Sequence, residues 1–288
     1  MLIGRKVLAE DLIIPLISKI KEKKELQEIS DDFVRAELFK YFQTNPKSAE
    51  LIDKPKSTKY KSIVKENRAK LRRVYGLFRI DEQIKQRREL VEKYLQKSSK
   101  KIIEEILKTH SSTEERLPYY EKLYEKIFKI TGKPKVVIDL GCGVNPFSLL
   151  YMNLRSLHYY AYDISDEEIF SLQGFFKTLH ENNSFFQGHA AVLDLLHFSQ
   201  LKNLEKADLC FLFKMTDVLD RGKGHKATEE VLQSIPAKFI VVSFPTKTMS
   251  GKKMNFPRRK WIELLAHRLG YSFKTIELSN EIFYVIKK

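Results

Sequence analysis

From residue 136 onward the chain alternates short β-branched segments with helical or loop stretches, and it ends on two strand-like segments joined by only Ser279-Asn280-Glu281. Few architectures accommodate that pattern. Segments 136–140, 159–164, 185–191, 208–213 and 239–244 read as strands, and the stretches between them are those of βαβ units, which makes the five parallel. Segments 273–278 and 282–286 cannot be parallel, because a crossover needs about a dozen residues. They form an antiparallel hairpin. The expected fold is therefore α/β, a Rossmann-like sheet of seven strands.

Before about residue 130 the apolar period is helical, over 7–20, 32–42, 60–78, 82–95 and 101–108, with Pro46, Pro55 and Gly76 as punctuation. This places an N-terminal all-helical domain at 1–108 ahead of the sheet domain at 109–288. The net charge of +15 is unevenly spread. Residues 1–50 hold nine basic and nine acidic side chains, residues 51–110 hold 18 against 8, and residues 111–288 hold 25 against 20. A local excess of +10 is the electrostatic footprint of a nucleic-acid binder, although a solvated helix surface carries such charge too. An apolar content of 43% excludes a disordered polar chain. No apolar run approaches the roughly 18 residues of a membrane span. The segment Leu12-Ile13-Ile14-Pro15-Leu16-Ile17 is short, follows Glu10 and Asp11 and contains a proline, so neither a signal nor an anchor is expected and the location is cytoplasmic. Two cysteines and seven scattered histidines offer no zinc spacing, and no metal is expected.

The first strand runs into Asp139-Leu140-Gly141-Cys142-Gly143-Val144-Asn145-Pro146. Glycines directly after a parallel strand let the backbone turn sharply and approach a ligand with no Cβ in the way. The second strand ends in Tyr162-Asp163-Ile164, about twenty residues on, where a carboxylate suits the two hydroxyls of a ribose. The third is followed by Asp194-Leu195, where an acid beside apolar residues suits an adenine amino group. Alone, Asp163 reads equally as a helix cap and Asp194 as a turn residue. In order at the ends of strands one, two and three, the sites point to S-adenosylmethionine and to a class I methyltransferase sheet. Cys142 is a small packing residue of the loop, and Cys210 lies mid-strand in the core.

After strand four the chain has Phe213-Lys214-Met215-Thr216. Methyltransferases of exocyclic amines place an Asn/Asp-Pro-Pro-aromatic turn there, and cytosine C5 enzymes need a cysteine nucleophile. Neither device is present. Methylation of guanine N7 needs neither, because N7 offers an in-plane lone pair that has only to be aligned with the sulfonium methyl.

Several segments carry a family likeness: Lys70-Leu71-Arg72-Arg73-Val74-Tyr75-Gly76, His110-Ser111-Ser112-Thr113-Glu114-Glu115-Arg116, Asp139 to Pro146, Phe213-Lys214-Met215, Val242-Ser243-Phe244-Pro245-Thr246-Lys247 and the ending Asn280 to Lys287. From about residue 60 onward the chain resembles the aminoglycoside-resistance methyltransferases of the Arm/Rmt type, which modify N7 of guanine 1405 in 16S rRNA of the 30S subunit. The resemblance implies cofactor contacts from Arg116, Asp139, Gly141, Gly143, Asn145, Asp163, Ile164, Asp194, Leu195 and Phe213. Arg116 would grip the methionyl carboxylate with two parallel hydrogen bonds, unless Ser112 to Glu115 is only a helix cap with Arg116 on its solvent face. Lys214 would lie near the methyl, the one candidate for a catalytic role beyond positioning. The chain departs from the family between Met254 and Trp261, where Asn255-Phe256-Pro257-Arg258-Arg259-Lys260 replaces acidic and Asn-Tyr positions. A Leu-Pro after the strand-four lysine is likewise Thr216-Asp217.

The RNA would then be held by two basic groups. Lys54, Lys56, Lys59, Lys61, Lys65, Arg68, Lys70, Arg72 and Arg73 fall within 54–73, interleaved with Tyr60, and suit phosphates of a folded RNA. Lys247, Lys252, Lys253, Arg258, Arg259 and Lys260 form a second group that would present a flipped guanine. The alternatives are a methyltransferase of another rRNA or tRNA base and a non-catalytic RNA-binding protein with the same fold. A single copy of the chain is expected to act alone.

Overall fold

In the computed structural model, residues 2–3, 6–7, 9–75, 81–220, 224–247, 252, 254–255 and 257–288 are described. They divide into two packed units, 1–81 with 164–167, and 82–163 with 168–288.

The first unit opens with the antiparallel pair β1 (Leu2–Ile3) and β2 (Lys6–Val7), followed by helices α1 (Glu10–Lys21), α2 (Asp31–Thr44) and α3 (Thr58–Tyr75). Helix α1 starts three residues later than the apolar period suggests, with Glu10 and Asp11 in its first turn, where the helix dipole favours acids. Ile13, Leu16, Ile17 and Ile20 recur at helical spacing and are buried with Phe33, Val34, Leu38 and Phe42 of α2 and Ile63, Val64 and Leu71 of α3. The buried carboxylate of Glu37 pairs with Lys40 at 3.0 Å and Lys70 at 2.7 Å, which ties α2 to α3. Residues 164–167 belong to this unit, with the Ser30 N–H donating to the Ile164 carbonyl at 2.9 Å.

The second unit begins with α4 (Asp81–Gln96), α5 (Lys100–Lys108), α6 (Ser111–Arg116) and α7 (Tyr120–Thr131). Its sheet comprises β3 (Val136–Leu140), β4 (Leu157–Asp163), β5 (Phe186–Val192), β6 (Ala207–Phe213), β7 (Ala237–Pro245), β8 (Ser272–Glu277) and β9 (Glu281–Lys287), in the order β5-β4-β3-β6-β7-β9-β8. The first five are parallel, and β9 runs antiparallel to both β7 and β8. This is the expected seven-stranded architecture. Helices α8 (Asp166–Asn182), α9 (Phe198–Lys202), α10 (Thr216–Asp220), α11 (Lys226–Ser234) and α12 (Lys260–Arg268) complete the chain. Alternate strand residues enter two cores, one with Val137, Phe211, Val241 and Phe283 and the other with Ile138, Cys210, Val242 and Tyr284.

The boundary by packing falls at 81–82 and not at the expected 108. Val91 and Tyr94 of α4 and Ile103, Ile106 and Leu107 of α5 lie in one apolar cluster with Phe147 and Phe175, so these two helices belong to the sheet unit. Among the described residues no helix is long and apolar enough to cross a membrane.

Candidate active site

The loop after β3 has the conformation its glycines permit. Gly141 and Gly143 stand at φ 63° and 49°, in the left-handed region that strains any residue with a Cβ. The N–H groups of Gly141 and Cys142 both donate to the Tyr162 carbonyl, at 2.8 and 3.0 Å, which fastens the turn to the end of β4. The Gly143 N–H donates to Asp163 Oδ2 at 2.9 Å. A Cβ on Gly141 would fall 2.5 Å from Met215 Sδ, whereas one on Gly143 would meet nothing nearer than the His110 ring at 3.8 Å. A side chain at the first glycine would also have to displace Met215. At the second, a Cβ would rest in ordinary contact with the His110 ring.

Beneath the loop runs a buried polar chain. Asp139 Oδ2 accepts from Tyr159 Oη at 2.7 Å and from Asn145 Nδ2 at 2.8 Å, and Asn145 Oδ1 accepts from Tyr120 Oη at 2.9 Å. Burial raises the Asp139 carboxyl to about 6, against the pull of those two donors and of the Arg116 charge. Arg116 is 2% exposed, and its guanidinium grips the fully buried Glu281 with two bonds, Nε to Oε2 at 2.8 Å and Nη2 to Oε1 at 2.9 Å. Burial alone would favour the neutral form, but the Glu281 charge overrides it and holds Arg116 above its ordinary value. The guanidinium also lies over the Phe213 ring, 4.7 Å from its centroid. Arg116 is thus not on a solvent face. Two of the five N–H groups of the fork are committed to Glu281, and Tyr120 is a further hydrogen-bond partner of the guanidinium.

Lys214, directly after β6, is one of two non-glycine residues at positive φ among the described residues, at 56°. Its N–H donates to Ser243 Oγ at 3.0 Å and its Nζ pairs with Glu115 at 2.7 Å. Strain held by such bonds is a mark of functional positions. Asp194 is the turn residue that one reading of the sequence described, accepting from the Leu196 N–H at 3.0 Å, and Leu195 is buried in the sheet core. Ile164 packs against the core of the helical unit. Cys142 and Cys210 are buried, and burial pushes both thiols well up, so neither is a ready nucleophile.

The structure therefore brings Asp139, Gly141, Gly143, Asn145 and Asp163 into one hydrogen-bonded group at the ends of β3 and β4, with Arg116 on Phe213 at the end of β6. Sequence reading missed Glu281, Tyr120 and Tyr159. The signal for Glu281 is an acid that opens an otherwise apolar strand, within a segment that already carried the family likeness.

The basic residues separate into two kinds. Lys61 and Lys65 are exposed and line a groove in the helical unit with Lys19, Lys23, Lys56 and Tyr60. Lys70 is bound to Glu37, Arg72 to Glu25 at 2.6 Å, and Arg68 donates to the Ile20 carbonyl at 3.1 Å. Lys247, Lys252 and Lys260 are exposed. Arg258 pairs with Glu263 at 2.8 Å, and Arg259 turns inward to the carbonyls of Pro257 and Pro245 and over the Phe244 ring. The side chain of Arg73 and the whole of Lys253 lie outside the described residues.

A family model described as ribosomal RNA methyltransferase (FmrO) matches residues 49–285. A 16S rRNA (guanine(1405)-N(7))-methyltransferase of Proteus mirabilis is 26% identical over 246 residues, 79% of this chain and 85% of that protein. One from Frankia casuarinae is 30% identical over 185 residues, 63% of this chain and 62% of that protein. Among solved structures, the 16S rRNA methyltransferase RmtF in complex with S-adenosyl-L-homocysteine shares the fold, with a TM-score of 0.73 and 24% identity over 98% of this chain and 100% of that one. The 16S rRNA methylase ArmA aligns with a TM-score of 0.55 and 28% identity over 70% of this chain and 97% of that one.

Proposed function

We propose, from the premise that this chain belongs to the ribosomal RNA methyltransferase (FmrO) family, that it transfers a methyl group from S-adenosylmethionine to N7 of guanine 1405 in the 16S rRNA of the 30S subunit, and so confers aminoglycoside resistance. The observation that carries this reading is the glycine turn after β3, with the Gly143 N–H on the Asp163 carboxylate, together with the guanidinium of Arg116 on Phe213.

These residues fit the cofactor. Asp163 would take the ribose hydroxyls, Asp194 and Leu195 the adenine, and Arg116, held by Glu281, the methionyl carboxylate. When bound, S-adenosylmethionine would supply the methyl from its positively charged sulfur, with N7 as the acceptor and S-adenosylhomocysteine as the leaving group. N7 has no proton to lose, so the chain needs no general base there, and its task is alignment and exclusion of water. Methylation leaves the purine cationic. A bare ammonium at Lys214 would oppose that charge, and its pairing with Glu115 at 2.7 Å removes the opposition.

The target is read by the region 245–260. With Arg259 bound to the Pro245 and Pro257 carbonyls and Arg258 paired with Glu263, the exposed Lys247 and Lys260 would meet the RNA. The exposed lysines of the helical unit engage phosphates of the subunit. A ribosomal substrate places the protein in the cytoplasm.

The test is methyl transfer from labelled cofactor to purified 30S subunits, followed by mapping of the modified nucleotide. Label at N7 of guanine 1405 is expected. Label at another base would retain the methyltransferase and move its target, and no transfer to any RNA would leave an RNA-binding protein.

A further inference from the structure

The geometry points to Arg87, on a helix that sequence reading assigned to RNA docking, as a positioning residue that holds two walls of the cofactor pocket in register. The inference rests on the reading of that pocket given above. Arg87 lies in α4 among charged neighbours, yet it is 1% exposed. An arginine is buried to that degree only where its donors are met. Nε donates to Thr109 Oγ1 at 2.8 Å, Nη2 to the Thr109 carbonyl at 3.0 Å, and Nη1 to Glu168 Oε1 at 2.5 Å.

Each partner stands next to the site. Thr109 precedes His110, whose ring faces Gly143 and whose carbonyl accepts the N–H groups of Thr113 and Glu114 at the start of α6, the helix that carries Arg116. Glu168 lies on α8, five residues after the Asp163 that holds the Gly143 N–H. Gly143 thus has His110 on one side and Asp163 on the other, and Arg87 spans the two segments from which they come. Stability supplies no reason for an arginine here, since well-packed apolar residues often replace a buried ion pair at no loss. A planar fork reaching two atoms of one residue and a third on another fixes an orientation, which apolar packing does not.

The test uses the full chain, with S-adenosylmethionine titrated calorimetrically and 30S binding measured separately. The double variant Arg87→Met with Glu168→Leu removes both charges together and is expected to melt close to the unaltered protein. Its affinity for S-adenosylmethionine should fall about tenfold or more, as expected when pocket walls shift by a fraction of an ångström, while 30S binding is retained. Arg87→Lys keeps the charge but lacks the fork, and its cofactor affinity should fall as well. Unchanged cofactor affinity in a folded double variant, or full affinity in Arg87→Lys, overturns the inference. Should the double variant fail to fold, Arg87→Lys decides alone. If the unaltered protein binds no S-adenosylmethionine, the functional reading falls first and takes this one with it.

Discussion

Asp139→Asn should make the protein more stable at neutral pH and poorer at binding cofactor. The carboxyl rises from an ordinary 3.8 to about 6 because it is buried. Below pH 3.8 it is protonated in the folded and unfolded chains alike and carries no penalty. Between 3.8 and about 6 only the unfolded chain ionises, so stability falls as pH rises. Above about 6 the full cost stands, about 3 kcal/mol at 1.36 kcal/mol per pKa unit. Both hydrogen bonds to this side chain converge on one oxygen, Oδ2, and the asparagine carbonyl can occupy that place. The variant therefore keeps the Tyr159 and Asn145 bonds and sheds the buried charge. Urea unfolding at a series of pH values is the assay. The stability gap should be near zero at about pH 3, roughly half developed at about pH 5 and at most about 3 kcal/mol above pH 6.5. A variant less stable than the unaltered protein at pH 7.5, or a gap that does not widen with pH, would refute the reasoning. A carboxylate kept at such a cost, with a weaker cofactor complex when it is removed, marks a group retained for function over stability.

Two further perturbations separate local causes. Gly143→Ala should cost about 1 kcal/mol, the strain of the left-handed conformation alone, whereas Gly141→Ala must also displace Met215 and should lower the melting temperature further. Among the lysines, Lys61→Ala with Lys65→Ala should leave the melting temperature unchanged and reduce the salt dependence of 30S binding by about two phosphate contacts. Lys70→Ala should instead lower the melting temperature, because the buried Glu37 loses one of the two lysines it pairs with. An equal effect of both lysine changes on stability would show that the sorting of these cations is wrong.

That sorting is also where sequence reading stopped. The sheet could be read because its causes are local: β-branched runs make strands, and a three-residue link between the last two dictates a hairpin. The glycine loop and Asp163 could be read for the same reason, since strand ends fix where they lie. Lys61 and Lys70 are alike to any local rule. What separates them is Glu37, more than twenty residues away and buried by the packing of α2 on α3. Arg259 has the look of an RNA-facing cation in a basic run, yet its partners are carbonyls brought to it by the turn after β7. The boundary expected at 108 failed similarly. Helical periodicity put α4 and α5 with the N-terminal helices, but burial is decided by Val91, Tyr94, Ile103 and Ile106, whose apolar face fits the sheet unit.

The same pairing of charges gives the net +15 a division of labour. At the site proposed for methyl transfer each buried or half-buried cation has its own acid: Arg116 has Glu281, Lys214 has Glu115 and Arg87 has Glu168. The charge of each of these three cations is matched by a carboxylate. That is what transfer to N7 requires, because the reaction moves positive charge onto the purine and surplus cations there would raise the energy of the product. Phosphate binding requires the opposite, a surplus that releases counterions. The groove lined by Lys23, Lys56, Lys61 and Lys65 offers one. A chain that recognises RNA through its backbone and methylates a base of it must keep these two electrostatic regimes apart. With the boundary at 81–82 the helical unit holds 19 basic against 14 acidic side chains and the sheet unit 33 against 23, so the two uses of charge are distinguished not by unit but by whether an acid is packed beside the cation.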